Sequence, residues 1–271
     1  MSIITISRGS YSRGKEIAEK LARRLGYECI ARETLLEASE QFNIPEIRLL
    51  QAIRDAPSIL DSFVYGKERY IAYIQVALLR RVRKDNVVYH GLAGHFLIRG
   101  IAHVLKVRIV ADLESRASTV MERDHCTRKE ALRFLKGIDE ERRKWSKRLY
   151  GIDTADPSLY DLVLNIKSLT ADDAAEIICD TVRLERFQTT PESQKAIDDL
   201  YLASEVKAAL FDVKPDIDVS ADGGVVVVKT KAQVSKAEEL VEEMTRIARR
   251  IPGVRQVRVD VAPQFPERDL Y

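Results

Sequence analysis

The feature that most restricts the fold is a short motif close to the first residue. A β-rich run, Ile3 to Ser7, leads into Gly9-Ser10-Tyr11-Ser12-Arg13-Gly14-Lys15, which fits the pattern GxxxxGK. Apolar residues then recur at helical spacing from Ile17 to Leu25. A strand, this motif and a helix, in that order, predict a loop whose backbone N–H groups bind phosphate beside the positive end of the helix.

Each position of this loop has a predicted role. We expect the phosphates of a nucleotide to contact Gly9, Ser10, Tyr11, Ser12, Arg13, Gly14, Lys15 and Glu16. Lys15 should reach the terminal phosphates as a point charge. Glu16 stands where such loops commonly supply a hydroxyl to magnesium, and a carboxylate cannot make that contact in the same way. A glycine turn that merely opens an ordinary helix is the alternative interpretation.

Strand and helix patterns alternate along the rest of the first two thirds of the chain. Buried-strand patterns at 86–89, 104–110 and 162–165 alternate with helical patterns at 33–83, 113–148 and 171–184. This alternation predicts an α/β fold, in which helices cover both faces of a parallel sheet.

A second, smaller domain is predicted after a polar segment. Residues 188–195 include a proline and have the composition of a linker. The predicted domains are 1–187 and 196–262, with 263–271 as a loose tail. The second domain is α+β, with the element order αββαβ. Because the linker has few apolar residues to bury, we expect a chain ending near Phe187 to fold by itself.

Composition and charge exclude some classes of partner. The 44 Lys and Arg nearly balance the 42 Asp and Glu, so we expect no nucleic-acid partner. The three cysteines have neither a CxxC pair nor the spacing of a zinc site, and we expect no metal held by protein ligands alone. The first residues lack a basic n-region and no stretch is long enough to cross a bilayer, which predicts a cytoplasmic protein.

Several ordered blocks extend the pattern beyond the loop. They read ITISRGSYSRGKEIAEKLARRLGYECIARE, NVVYHGLAGHFLIRG, VRIVADLESRASTVMERDHCTRKEA, IDEERRKWSKRLYG and DPSLYDLVLN, across residues 1–184. Together they resemble the cytidylate kinase-like family, in which Glu16 is usual. The resemblance implies a P-loop kinase fold with a helical lid, ATP and Mg²⁺ as cofactors, and transfer of the γ-phosphoryl group to a nucleotide such as CMP.

Basic residues concentrate where the family has its lid. The stretch 116–148 holds eleven Lys or Arg against six Asp or Glu, although the whole chain is nearly neutral. By resemblance, Arg116 and Arg123 bind the donor nucleotide, and Arg142, Arg143 and Arg148 stabilise the transferred group. For any one of these arginines, a solvated helical surface held by ion pairs is the alternative.

The acceptor site is predicted from four positions. By resemblance, the acceptor contacts Arg32, His90 and the Leu92 position, and Asp139 acts as an orienting carboxylate. Leu92 stands where the family has arginine, and Ala31 stands where it has aspartate. These departures keep open a second function, in which a catalytically degenerate kinase fold senses nucleotides.

The last part of the chain resembles the BON module. The resemblance is carried by GGVVVVKT and VSKAEELVEEMTRIARRIPGVRQVRVDV within residues 196–262. It implies a binding unit for a phospholipid or a small molecule, which would carry the output of a nucleotide sensor. A stabilising appendage or a contact surface of a homo-oligomer is the alternative.

Overall fold

The computed structural model describes residues 1–31, 66–91 and 94–264 of the 271-residue chain. The first part contains β1 (Ile3–Arg8), α1 (Gly14–Leu25), β2 (Glu28–Ile30), α2 (Gly66–Val82), β3 (Val87–His90), α3 (Gly94–Leu97), β4 (Val104–Val110), α4 (Leu113–Asp124), α5 (Arg128–Tyr150), β5 (Leu162–Asn165) and α6 (Ala171–Val182). The last part contains α7 (Pro191–Leu210), β6 (Ile217–Asp222), β7 (Val225–Ala232), α8 (Val234–Ala248) and β8 (Gln256–Pro263). None of the helices in these ranges combines the length and the apolar character that a membrane span requires.

Five parallel strands form the main sheet, in the order β2-β3-β1-β4-β5. The central strand β1 pairs on both sides, with Ile3 opposite Val87 of β3 and Val104 of β4. Alternate side chains of β1 face opposite helices: Ile3 packs with α2 and α3, whereas Ile4 and Ile6 pack with α1 and α6. The predicted α/β fold, a parallel sheet between two layers of helices, is confirmed.

The helical region predicted at 113–148 consists of two helices that pack against each other. α4 ends at Asp124, and the next residue, His125, has a left-handed φ angle of 51°. Thr127 then begins α5, because its side chain and that of Glu130 cap each other's backbone N–H groups. Val120 and Leu135 lie in the small apolar core between the two helices. Since α4 follows β4, this helix pair stands at the carboxyl edge of the sheet.

Helix α7 begins inside the predicted linker. Thr190 Oγ1 accepts a hydrogen bond from Ser193 N at 3.2 Å, and Ser193 Oγ accepts one from Thr190 N at 2.9 Å. Pro191 follows the cap at the first helical position, where its fixed φ angle favours a helix. Residues 191–195 of the predicted linker are therefore helical.

The same helix packs against both parts of the chain. Ile197 is fully buried in the core that lies between the main sheet and α2. Ala208 packs with Tyr73 and Val76 of α2. Val206, also fully buried, belongs to the core of the small β6-β7-β8 sheet. The two cores therefore share one helix.

Polar contacts strengthen this attachment. Arg80 Nη2 of α2 lies 3.1 Å from Glu205 Oε1 of α7, and Arg83 Nε lies 3.1 Å from Asp198 Oδ1. A chain ending near Phe187 would lose these ion pairs and would expose the apolar side of α2. These contacts argue against independent folding of residues 1–187, because part of the predicted linker belongs to a helix that both cores share. The domain boundaries themselves stay a prediction.

The small sheet has the order β6-β7-β8. β6 and β7 are antiparallel and are joined at Gly223 and Gly224, whose φ angles are 54° and 89°. β7 and β8 are parallel, with α8 between them in the chain. The element order from α7 onward is αββαβ; the resemblance to the BON module stays a prediction. β8 extends to Pro263, and residues 265–271 of the predicted tail lie outside the described ranges.

We predict that Ile197→Ala in the full chain lowers the free energy of unfolding by about 2–5 kcal/mol, because it leaves a cavity where the buried α7 side chain filled the core. Denaturant unfolding measures the change. Glu192→Ala, at an exposed position of the same helix, is the control. An Ile197→Ala protein as stable as this control would contradict the shared-core role of α7.

Candidate functional site

The residues between β1 and α1 form a tight turn that a hydrogen bond from a buried serine stabilises. Ser12 is fully buried, and its Oγ donates a hydrogen bond to O of Gly9 at 2.9 Å. Tyr11 and Arg13 have φ angles of 58° and 57°, in the left-handed region that favours glycine. Backbone strain of this kind persists only where surrounding contacts hold it, and it is frequent at ligand sites.

The backbone N–H groups from Ser10 to Arg13 lack an acceptor within the described part of the chain, whereas that of Gly9 donates to O of Ile109 at 3.2 Å. Arg13 is the N-cap residue of α1, and its side chain makes no capping hydrogen bond. No hydrogen bond from the backbone N–H groups of Ser10 to Arg13 to another described residue is formed. The first N–H groups of a helix also lack internal partners. These donors, beside the positive end of α1, are the kind of groups that bind anions in other proteins.

An open cleft of about 520 Å³ lies in front of the loop. Its walls combine the loop and α1 with α4 and α5, the two helices of the predicted lid. They are formed by Arg8, Ser10, Tyr11, Arg13, Gly14, Lys15, Glu16, Glu19, Thr119, Ile138 and Arg142. Seven of the predicted site residues meet here: Ser10, Tyr11, Arg13, Gly14, Lys15, Glu16 and Arg142. The cleft is large enough for a nucleotide-sized ligand, within the range of ordinary ligand sites.

Arg8 is a cleft residue that sequence reasoning missed. It is the last residue of β1, and its Nε is buried without a hydrogen-bond partner among the described residues. Burial lowers the pKa of Arg8, because its charge has lost part of its water shell. The available signal was an arginine at the end of the first strand, directly before the glycine motif.

The glycine at position 14 lets the Arg8 side chain cross the start of α1. A Cβ atom on Gly14 would lie 2.7 Å from both Cβ and Cδ of Arg8, which is too close. A Cβ atom on Gly9 would meet only Ser12, at the ordinary distance of 3.9 Å. A side chain at position 14, the second glycine of the motif, would therefore clash with Arg8, whereas one at position 9 would not clash.

Two lid arginines reach the loop. Arg116 Nε donates to O of Ser10 at 2.6 Å, and its Nη2 lies 2.8 Å from Asp139 Oδ1. Arg142 Nη1 donates to O of Arg8 at 3.3 Å. Burial, and then the charge of Arg8, lower the pKa of Arg142. Asp139 thus neutralises and orients a lid arginine, while Arg142 adds positive charge to the cleft.

Lys15 and Glu16 point along the exposed side of α1. The Lys15 side chain is 66% exposed, and its Nζ lies 3.7 Å from Glu19 Oε1. An exposed pair of this length contributes little, so Lys15 is available to a ligand. Glu16 accepts from Arg13 Nε at 2.8 Å and lies 3.6 Å from Lys20 Nζ.

Of the other predicted lid residues, Arg123 and Arg143 do not line the cleft. The Arg123 guanidinium lies 4.7 Å from the centre of the Tyr11 ring and donates to the Tyr11 hydroxyl. The Tyr11 ring also packs 6.0 Å from that of Phe134, so it ties the loop to the lid. Arg143 lies on the exposed side of α5, and the Arg148 side chain lies outside what the structure describes.

The predicted acceptor residues are only partly within the described ranges. Arg32 and Leu92 lie outside them. His90 ends β3 and is buried, at the same carboxyl edge of the sheet as Arg8. His95 of α3 is buried too: burial lowers its pKa to about 3, and positive charges, chiefly that of Lys106, act in the same direction. His95 is therefore neutral at physiological pH.

The donor set fits a polyphosphate better than it fits a bare metal ion. The loop N–H groups, Arg8, Lys15 and Arg142 supply hydrogen-bond donors and positive charge. Among the described residues, no group of three or more His, Cys, Asp or Glu could hold a metal. Glu16 and Glu19 are carboxylates in the cleft, and both contact basic side chains. Magnesium commonly binds through substrate phosphates and few protein groups, so these residues fit an ion that arrives with a nucleotide.

A model described as the cytidylate kinase-like family matches residues 3–168. A cytidylate kinase of Pyrobaculum arsenaticum is 28% identical over 181 residues, which cover 66% of this chain and 92% of that protein. A cytidylate kinase of Sulfolobus acidocaldarius is 34% identical over 95 residues, covering 35% of this chain and 52% of the relative. The chain thus spans about half the length of the more identical relative.

A similar fold occurs in a solved structure. The crystal structure of an uncharacterized protein from Eubacterium ventriosum has a TM-score of 0.53, with 20% sequence identity. The match covers 68% of this chain and all of the other chain. At this identity the likeness concerns the fold alone.

We predict that Gly14→Ala lowers the free energy of unfolding by about 1–3 kcal/mol, because the new methyl group must displace Arg8 or the loop. The same change should weaken triphosphate binding. Gly137→Ala is the matched control, since a Cβ atom there meets nothing within 4 Å and its helix gains about 0.5–1 kcal/mol. Denaturant unfolding and calorimetric titration measure both variants. If Gly14→Ala and Gly137→Ala had the same unfolding free energy and the same triphosphate affinity, the close approach of Arg8 to Gly14 would be contradicted.

Proposed function

The chain belongs to the cytidylate kinase-like family, and from that premise we propose an ATP-dependent phosphotransferase. Its acceptor is a nucleoside monophosphate such as CMP, or another small phosphoryl acceptor. Family and curated relatives support a kinase-like enzyme that binds nucleotides and transfers a phosphoryl group. ATP use follows from the family, and Mg²⁺ is typical of kinases.

One observation carries the proposal: phosphate-loop donors and several cations converge on one cleft. Ser10, Tyr11 and Arg13, whose backbone N–H groups donate to no described residue, line the same cleft as Arg8, Lys15 and Arg142. Phosphoryl transfer depends mainly on positioning and on charges that stabilise the equatorial oxygens of the transferred group. An anion-binding cleft at the carboxyl edge of a parallel sheet suits that chemistry.

Individual residues have distinct roles in this proposal. The loop N–H groups hold the phosphates of the donor, and Lys15 reaches over them as a point charge. Arg142 stabilises negative charge on the transferred group. Arg116 holds the loop to the lid, and Asp139 keeps the guanidinium of Arg116 in place. Bound ATP supplies the phosphoryl group itself.

A sensing function is the second candidate, and two observations favour it. The family's acidic and basic acceptor residues are replaced at Ala31 and Leu92. The loop also places the bulky side chains of Tyr11 and Arg13 at left-handed positions, where glycine would let phosphate approach most closely. In this proposal the BON-like unit binds a phospholipid or small molecule and carries the output.

A coupled ADP-release assay over a panel of nucleoside monophosphates separates the two functions. The enzyme proposal expects ADP release that one acceptor, CMP first among them, stimulates. The sensor proposal expects nucleotide binding without stimulation by any acceptor. Absence of both binding and turnover would contradict both.

We predict that Lys15→Ala weakens binding of ATP by about tenfold or more, because a charge-assisted contact to the phosphates is lost. The variant should stay folded, since the side chain is exposed. Lys144→Ala on α5 is the control, because Lys144 is equally exposed and pairs with Glu140 and Glu141 away from the cleft. Calorimetric titration gives both affinities. Unchanged ATP binding in a folded Lys15→Ala protein would contradict the phosphate-loop assignment.

We predict that Leu92→Arg raises the affinity for CMP by about 1–3 kcal/mol, since an arginine there can pair with the acceptor phosphate. This prediction rests on the sequence resemblance, because position 92 lies outside the described ranges. Titration of the original and variant proteins with CMP tests it. Equal and undetectable binding by both would favour the sensor proposal.

A further inference from the structure

Arg8 carries a positive charge that no described carboxylate neutralises. Its Nε is buried and makes no hydrogen bond to the described residues. The described group whose electrostatic interaction with it favours the charged form is the Tyr89 side chain of β3, not an acidic residue. Arg8 as a whole is half-buried, and partial loss of water around an unpaired charge is costly; a ligand of opposite charge would offset that cost.

Other arginines around the cleft already have partners. Arg116 donates to a loop carbonyl and pairs with Asp139. Arg13 makes two hydrogen bonds to the Glu16 carboxylate, at 2.8 and 3.0 Å. Arg8 differs from both, because the described residues around it supply steric contact and more positive charge but no carboxylate partner.

That additional positive charge comes from two directions. The Arg8 side chain passes over Gly14, the first residue of α1, and so lies at the positive end of a twelve-residue helix. Arg142 is close enough for its pKa to be lowered by the charge of Arg8. The two guanidinium groups repel each other, and an anion bound between them would offset that repulsion.

The position of Arg8 indicates which part of a ligand it meets. On one side it touches the start of α1, next to the phosphate loop. On the other it faces Tyr89, the residue before His90 at the end of β3, where the acceptor is expected. Arg8 therefore lies between the donor phosphates and the acceptor strand.

We propose that Arg8 binds the terminal phosphate of the triphosphate donor, the group that is transferred. This inference rests on the proposed function. In the transfer, the bond from the terminal phosphorus to its bridging oxygen breaks, and the electron pair stays on that oxygen of the diphosphate product. A new bond forms from the phosphorus to an ionised phosphate oxygen of the acceptor, and no proton has to move. The Arg8 guanidinium offers paired donors to the equatorial oxygens throughout.

A comparison of triphosphate and diphosphate binding tests this role. Arg8→Gln, Arg8→Lys and the full-length unaltered protein are titrated calorimetrically with ADP, with a non-hydrolysable ATP analogue and with inorganic tripolyphosphate. Arg128→Gln is the matched control, because Arg128 lies on α5, is 63% exposed and pairs with Glu114. Thermal unfolding of each variant confirms that it is folded.

We expect Arg8→Gln to weaken binding of the ATP analogue by about tenfold or more, while ADP binding changes little. Arg8→Lys should retain part of the preference for the triphosphate, because the charge stays while the paired donors are lost. With CMP and ATP, kcat of Arg8→Gln should fall more than the KM for CMP rises. Arg128→Gln should behave as the unaltered protein in every titration.

Other results would overturn the proposal. Equal loss of ADP and ATP-analogue binding would place Arg8 on an inner phosphate, and no loss would leave it without a ligand role. If Arg8→Gln is unfolded, the Arg8→Lys variant takes its place. An unchanged preference of Arg8→Lys for the triphosphate over the diphosphate would then contradict the proposal. If the unaltered protein binds both nucleotides but shows no turnover, the proposed enzyme function fails, and the binding ratio still judges Arg8. If the unaltered protein binds only tripolyphosphate, loss of that binding in Arg8→Gln supports the role of Arg8, and unchanged binding contradicts it. If the unaltered protein binds none of the three ligands, both proposals fail.

Discussion

Strand β1 hydrogen-bonds to parallel neighbours on both sides, and this double pairing fixes the position of Arg8 and of the loop that follows at the carboxyl edge of the sheet. Ile3, Ile4 and Ile6 are almost completely buried against helices on both faces. A slip of one residue would exchange the two faces and expose this set, so the register is strongly specified. Because the register is fixed, β1 ends at Arg8 and delivers that arginine and the phosphate loop to the same place. The chemistry of the cleft thus depends on apolar packing several residues away.

Much of the fold and part of the site follow from short-range sequence patterns. Alternation of buried runs with helical periodicity predicted the parallel sheet, and the glycine motif between β1 and α1 predicted a tight loop there; its binding of phosphate stays a prediction. The start of α7 was missed, because its cap uses Ser193 where the common capping pattern has Glu or Gln. Its packing on α2 was missed because such contacts join residues far apart in the chain.

The missed parts of the site have a similar cause. The importance of Arg8 depends on how deeply its side chain is buried and on the space above Gly14, neither of which local patterns contain. The pairing of Arg116 with Ser10 links residues on different elements. The left-handed conformations of Tyr11 and Arg13 run against residue preference, and the contacts of Tyr11 with the lid help to hold that loop shape. Helices α4 and α5 and the loop between β1 and α1 therefore contact each other directly, so movement of these helices would change the backbone of that loop.

Helix α7 completes the first core from a late position in the chain, and this has a consequence for biosynthesis. Because the ribosome synthesises a chain from its N-terminus, Tyr73 and Val76 of α2 leave the exit tunnel long before Ala208, which packs on them. Ile197, which fills the main core, also emerges late. The sheet can begin to assemble during translation, but one apolar side of α2 stays in contact with solvent until α7 has left the exit tunnel. A nascent chain that pauses before that point exposes apolar surface of α2, which favours aggregation.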